Sequence, residues 1–339
     1  MVLPEPRLPA LTGGPTLRWA VLAPGAIASA FATSLRTFTD QRIVAVGSRS
    51  LERAERFARS HGADRYYGSY EAAVADPDVD IVYIAAPHTE HRPLALLAIA
   101  AGKHVLIEKP MAPSEREAAE IIDAARAAGV FAMEAMHTRF HPWVDVMDQL
   151  VADGAIGAPA FAAAEVGRFF VDDPASRLFD PALAGGALLD MGVYAVWFAV
   201  HVGGEPEQLV AQGELASTGV DAQATIILRA PGPLHATVST TVRAFTPSRA
   251  VLSGPSGRIE VAGRFPMPNP LDVYDRNNQL VNRFEDTTGL VGHDGLCRQA
   301  VWAAIHVDAG LLEAPQHPHA ATLTQLRVID EARAVVAGR

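Results

Sequence analysis

Asp190 and Tyr194 stand four residues apart in ALLDMGVYAVWFAVHVGG, an otherwise apolar run. At helical spacing they share one face, and a carboxylate and a phenol among apolar neighbours both need partners. They are either a satisfied interior pair, with Asp190 near a helix N-terminus, or groups placed for acid–base work. A third candidate is Lys109, in HVLIEKP. Pro110 restricts it to an extended backbone. The run before it reads as a parallel strand, and ligands of open α/β sheets bind at the carboxyl ends of such strands. A lone lysine would normally be a solvated charge; this position favours a role.

A second set could hold an anion. RWAVLAPGAIASAF reads as strand, turn and helix, with Ala23, Gly25 and Ala28 where the G-x-G-x-x-G pattern has three glycines. Gly25 sits at the middle position, where a side chain would block approach of a pyrophosphate. The N–H groups of Gly25, Ala26 and Ile27 would face that anion at a helix N-terminus. Alanine at the first position requires a backbone that avoids positive φ, and Pro24 is compatible with that. The second strand ends in VGSRS, without the Asp or Glu that bonds a ribose 2′-hydroxyl in NAD-binding domains. Ser48, Arg49 and Arg53 stand there instead. A hydroxyl and two guanidinium groups suit a 2′-phosphate, which predicts NADP(H) over NAD(H).

These residues need a scaffold. From Leu17 to Glu134, short Val- and Ile-rich runs (LRWAVL, IVAV, DIVYIA, HVLIE, VFAME) alternate with amphipathic stretches. Ser50 and Gly62 bracket one helix, Ser114 and Gly129 another, with Ser114 and Glu117 at capping-box spacing. Strands alternating with helices imply a doubly wound parallel sheet. After His137 the texture changes. A helix over Val144–Ala152, a strand in APAFAAAEVGRFF and the apolar helix precede EQLVAQGELA, DAQATIILRA, LHATVSTTVRA, SRAVLSG and GRIEVAG. The turn GPSG joins the last two as a hairpin. This predicts an α+β domain with a large, mostly antiparallel open sheet. The expected division is a loose Pro-rich extension (1–16), a dinucleotide-binding domain (17–137), an α+β domain (138–312), and a segment (313–339) whose helix packs back on the first domain.

Composition narrows the function. A formal charge of −10 without a basic block disfavours nucleic acid. With 49% hydrophobic and 19% charged residues, the chain can bury a sizeable core. The one cysteine, Cys297, falls in an apolar helical pattern and reads as an inert buried thiol. No run approaches the roughly 18 apolar residues of a membrane span, so a cytoplasmic protein is the default. His137 and His141 are four apart, but Pro142 breaks a regular helix across them and no metal site is expected.

The segment VDIVYIAAPHTEHRPLALLAIAAGKHVLIEKPMA resembles the glucose–fructose oxidoreductase, inositol dehydrogenase and rhizopine-catabolism family (Gfo/Idh/MocA). MEAMHTRFHP and RLFDPALAGGALLDMGVYAV look like its branch of dimeric dihydrodiol dehydrogenases and NADP-dependent D-xylose dehydrogenases. The resemblance covers nearly the whole chain after the extension. It implies a two-domain NAD(P)-dependent oxidoreductase acting on a sugar, cyclitol or vicinal diol. In it Lys109 lies near the nicotinamide ribose and the substrate hydroxyl, Tyr194 is the general acid/base and Asp190 orients the hydroxyl. Ala86, Pro87, His91 and Glu108 would line the cofactor; His137, Arg139 and Arg177 would line the substrate. His137 stands where that branch typically has Trp. Related dimers imply a homodimer, or a higher homo-oligomer, through the second sheet. A cofactor-binding regulator without turnover is the alternative, and it would be expected to have lost the Lys–Asp–Tyr set.

Overall fold

In the first sheet, strands β1 (Arg18–Leu22), β2 (Arg42–Gly47), β3 (Arg65–Tyr67), β4 (Ile81–Ile84), β5 (His104–Glu108) and β6 (Ala132–Ala135) lie in the order β3-β2-β1-β4-β5-β6, all parallel. The computed structural model describes residues 2–261 and 263–338. Apolar residues run through β4 without a break because the crossover helices cover both faces. Those helices are α1 (Ala26–Phe38), α2 (Leu51–His61), α3 (Tyr70–Val74), α4 (His88–Ala100) and α5 (Glu115–Ala128). Ser50 accepts from the Arg53 N–H and Ser114 from the Glu117 N–H, both at 3.3 Å. Gly62 and Gly129 end their helices at φ 72° and 65°, the left-handed conformation that glycine takes without a Cβ clash.

Residues 9–137 and 291–322 form one compact unit; residues 2–8, 138–290 and 323–338 form the other. This departs from the expected division. Helix α8 (Leu296–Asp308) belongs with the first sheet, and most of α9 (His319–Val336) with the second. Polar groups on the first sheet's elements explain the return of 291–322. Ser34 on α1 donates to the Asp294 carbonyl at 2.6 Å and accepts from the Cys297 N–H at 2.9 Å. Glu134 on β6, fully buried, is satisfied by His317 at 2.8 Å and the Thr322 hydroxyl at 3.1 Å. Cys297 is buried, and burial raises its thiol pKa, as expected of an inert thiol.

The extension is not loose, although it lacks helix or strand. Arg7 pairs with Asp145, and Gln149 donates to the Glu5 carbonyl at 2.9 Å, within the second unit. Gly13 N–H donates to Asp40 at 2.6 Å, and Gln41 to the Pro15 carbonyl at 2.8 Å, within the first.

The second unit contains α6 (Pro142–Ala152), β7 (Phe161–Gly167), α7 (Val193–Gly203) and strands β8 (Gln208–Leu215), β9 (Asp221–Arg229), β10 (His235–Thr241), β11 (Arg249–Gly254), β12 (Gly257–Val261), β13 (Leu271–Asp275) and β14 (Leu280–Phe284). The sheet order is β14-β13-β12-β11-β7-β10-β9-β8; β7 and β10 run parallel and the other neighbours antiparallel. Period-two alternation puts Ala162, Ala164, Ala236, Val238, Ala250 and Leu252 in the core. Their small size lets α7 lie close on β7, β10 and β11. The alternate positions include Phe161, Val210 and Ile227, which are exposed.

The apolar run Pro181–Gly203 is long enough to cross a membrane by length and composition alone, but 78% of its most apolar window is buried inside the protein, as in a core helix. Each large side chain it buries, such as Trp197 and Phe198, contributes about 1.5–3 kcal/mol.

Candidate active site

The turn after β1 and the loop after β4 flank the point where strand order reverses, the place open α/β sheets reserve for ligands. Gly25 is the N-cap of α1, and no side chain caps that end or puts an acid in its first turn. Gly25 and Ala26 are exposed and Ile27 is half-buried. A Cβ built on Gly25 would meet only the Ala23 carbonyl, at 3.9 Å. An open helix N-terminus without a competing anion fits a pyrophosphate. Ala23, however, has φ 60°. The expectation that this alanine avoids positive φ fails: its N–H bonds the Gly47 carbonyl at 3.1 Å, and the turn takes the conformation a glycine would adopt.

At the end of β2, Arg49 and Arg53 are exposed, whereas Ser48 is buried and accepts from the Ser50 N–H at 3.2 Å. Tyr70 completes the corner. Burial raises its pKa, and a hydrogen bond from Arg49 with the charges of Arg49 and Arg53 opposes that rise. Two guanidinium groups, one of them bonded to a phenol, with no carboxylate on VGSRS, fit a phosphate on the adenosine ribose.

Lys109 leaves β5 on a turn braced from three sides. Glu108 accepts from the Tyr83 hydroxyl at 2.5 Å and from the Lys109 N–H at 3.2 Å. His91 places one ring nitrogen 2.9 Å from the Pro110 carbonyl and the other 2.9 Å from that of Ala86. Glu134 accepts from the Met111 N–H at 3.1 Å. Burial raises the Glu108 pKa and lowers that of His91. A neutral His91 donates to one of the two carbonyls and only approaches the other. Glu108 and His91, expected to line the cofactor, are instead buried supports: His91 ties the Ala86–Pro87 loop to the Lys109 turn. Pro87 itself is the N-cap of α4.

His137 is 4% exposed, and its pKa is pulled down to about 3, first by burial and then by the charges of Lys109 and His293. It is therefore neutral at physiological pH. His293, in the turn before α8, joins this group; its long-range return is invisible in the sequence.

Asp190 and Tyr194 belong to the second unit. The run bearing them opens as a wide π turn, Leu188–Gly192, before α7. Such turns recur at functional sites. Glycines shape the approach: a Cβ on Gly185 would lie 2.5 Å from the Leu178 carbonyl, and one on Gly192 would lie 2.9 Å from the Thr240 methyl. Asp190 pairs with Arg177 at 3.0 Å; its side chain is 14% exposed. Tyr194 is 9% exposed. Arg139 pairs with Asp148 at 3.2 Å, and His201 meets the other oxygen of Asp148 at 2.7 Å. Burial lowers the Arg139 pKa. Among the described residues no group of three or more His, Cys, Asp or Glu could hold a metal ion.

The model of an oxidoreductase family, GFO/IDH/MocA NAD-binding Rossmann fold, matches residues 17–136, and that of the GFO/IDH/MocA C-terminal domain matches residues 144–263. The chain is 35% identical over 333 residues to trans-1,2-dihydrobenzene-1,2-diol dehydrogenase of Mus musculus, covering 94% of this chain and 97% of that one. It is similar to an aldose-aldose oxidoreductase from Caulobacter crescentus complexed with glycerol (TM-score 0.83, 25% identity, 96% and 98% coverage). It is also similar to KijD10, a 3-ketoreductase from Actinomadura kijaniata in complex with NADP and TDP-benzene (TM-score 0.81, 25% identity, 94% and 97% coverage).

Proposed function

The chain belongs to the GFO/IDH/MocA oxidoreductase family, and from that premise we propose that it is an NADP-dependent dehydrogenase or reductase acting on a secondary alcohol or carbonyl of a vicinal diol, sugar or cyclitol. The observation that carries the reading is the braced Lys109 turn at the carboxyl edge of the first sheet. The dihydrodiol dehydrogenase relative supports the substrate class. Arg49, Arg53 and Tyr70 support NADP over NAD.

A nicotinamide dinucleotide, when bound, would supply the hydride acceptor or donor. The Gly25–Ile27 amides would hold its pyrophosphate, and Arg49 and Arg53 its 2′-phosphate. Tyr194 takes the substrate hydroxyl proton on oxidation and returns it on reduction. A phenol at its usual pKa of about 10 is a weak base at neutral pH. In this proposal the Lys109 ammonium would polarise the substrate oxygen. Asp190, paired with Arg177, would orient the hydroxyl, and His137 would face the substrate as a neutral ring. Absorbance at 340 nm with NADP⁺ or NAD⁺ and a panel of trans-diols, aldoses and cyclitols tests class and cofactor together; equal kcat/KM for the two cofactors would remove the NADP assignment.

The same reading includes a homodimer through the uncovered face of the second sheet, where Phe161, Val210 and Ile227 are exposed. A monomer by light scattering at micromolar concentration would rule this out.

A further inference from the structure

Asp221 is a buried carboxylate that no step of the proposed mechanism uses. It opens β9 and is 4% exposed. One of its oxygens accepts the Leu188 N–H at 2.6 Å, at the first residue of the π turn. The other lies 3.9 Å from the Arg333 guanidinium on α9, and Asp330 stands 4.0 Å from Arg333. The chain is shaped around this carboxylate. Gly186 has φ 118°, and a Cβ there would fall 2.3 Å from the Asp221 oxygen, so only glycine fits.

We propose that Asp221 is the positioning residue for the turn that presents Asp190 and Tyr194. This rests on reading those two as the catalytic pair.

A π turn interrupts the regular α-helical hydrogen bonding, so contacts from outside help to place it. Packing supplies part of them, since Ala187, Leu188 and Leu189 are fully buried. A cavity of about 320 Å³, lined among others by Asp221, Arg333, Ala184 and Gly185, borders the approach to the turn. The polar contacts at the turn include Leu188 N–H to Asp221, Asp190 N–H to the Gly186 carbonyl at 3.2 Å, and the Thr240 hydroxyl to the Ala187 carbonyl at 3.4 Å. Asp221 makes the shortest of them and the only charged one. A carboxylate at a helix N-terminus also answers the dipole and the unpaired amides. Burial pushes its pKa up to about 6, against the pull of the Leu188 amide and Arg333. The fold thus retains a desolvated carboxylate where a neutral side chain would be less costly, as expected when position rather than stability is the gain.

The test measures kcat, KM, the NADPH dissociation constant and Tm for Asp221→Asn, Asp221→Ala and Tyr194→Phe, with amide hydrogen exchange across residues 186–194. Asp221→Asn keeps shape and one acceptor but loses the charge. Its kcat falls about tenfold, the scale of one charge-assisted hydrogen bond. Asp221→Ala falls further. NADPH affinity stays within twofold, Asp221→Asn melts no lower than the unmodified protein at pH 8, and exchange quickens at 186–194 alone. Should Asp221→Ala fail to fold, Arg333→Gln weakens the same carboxylate from the partly exposed α9 and gives a smaller drop of the same kind. Unchanged kcat and exchange in Asp221→Asn would overturn the proposal, as would parallel losses of kcat, cofactor affinity and Tm. If Tyr194→Phe keeps its turnover, the catalytic reading fails, and hydrogen exchange still decides whether Asp221 holds the turn.

Discussion

Replacing Ala23 by glycine should stabilise this protein, although glycine usually weakens a fold. Ala23 sits at φ 60°, where its Cβ crowds the following carbonyl at a cost of roughly 1–2 kcal/mol. Glycine removes that clash. Against it stands the greater freedom of glycine in the unfolded chain, about 0.4–1 kcal/mol. The net gain is about 0.5–1 kcal/mol, or roughly 1–4 °C in Tm at the scale of larger domains. The Ala23 N–H to Gly47 bond survives the change, because it belongs to the backbone. Urea unfolding followed by tryptophan fluorescence reads the gain, and Trp19 is fully buried on β1 beside this turn. The companion Ala23→Val adds a β-branched side chain at positive φ and should lose at least 1 kcal/mol. NADPH affinity should change by less than threefold in Ala23→Gly, because the amides proposed to face the pyrophosphate stay in place. A loss of stability in Ala23→Gly, or a harmless Ala23→Val, would refute the assigned conformation and the strain argument together.

The double variant Arg49→Ala/Arg53→Ala should weaken NADPH binding by about 10- to 100-fold per lost charge-assisted contact while sparing NADH; equal losses for both cofactors in a titration would contradict the 2′-phosphate assignment. For Asp221, the native pKa of about 6 lies above the ordinary 3.8, so the native state binds this proton more tightly than the unfolded chain does. That contribution is complete below about pH 4 and is lost as pH rises through 6. Asp221→Asn never ionises, so its stability relative to the unmodified protein should improve by up to about 3 kcal/mol between pH 4 and 8. A difference independent of pH in denaturant titrations would disprove the raised pKa.

What sequence reading could reach depended on the range of each signal. The caps of α2 and α5 are written within a few residues, and Ser50, Gly62, Ser114 and Gly129 cap these helices in the structure. Strands β7 to β12 show period-two alternation and were legible. Strands β13 and β14 were not, because LDVYD buries three residues in succession and LVNRF is mostly exposed. The return of 291–322 to the first sheet rests on Ser34, Glu134 and His317, polar residues whose partners lie more than 180 positions away. Lys109, Asp190 and Tyr194 stood out by type and setting, whereas their supports did not. Nothing local marks Tyr70 as the brace of Arg49, His293 as a neighbour of His137, or Asp221 as the cap of the π turn. The interior partners of Arg139 and Glu108, Asp148 and Tyr83, are likewise unmarked in the sequence.

The central claim is that Tyr194 moves the proton in an NADP-linked oxidation. Stopped-flow absorbance at 340 nm with NADP⁺ and a turned-over diol or sugar, for the unmodified protein and for Tyr194→Phe, tests it most directly. The account predicts a loss of about 10²- to 10⁴-fold in the hydride step with the NADPH dissociation constant unchanged. A Tyr194→Phe protein that forms NADPH within a few-fold of the unmodified rate would contradict it.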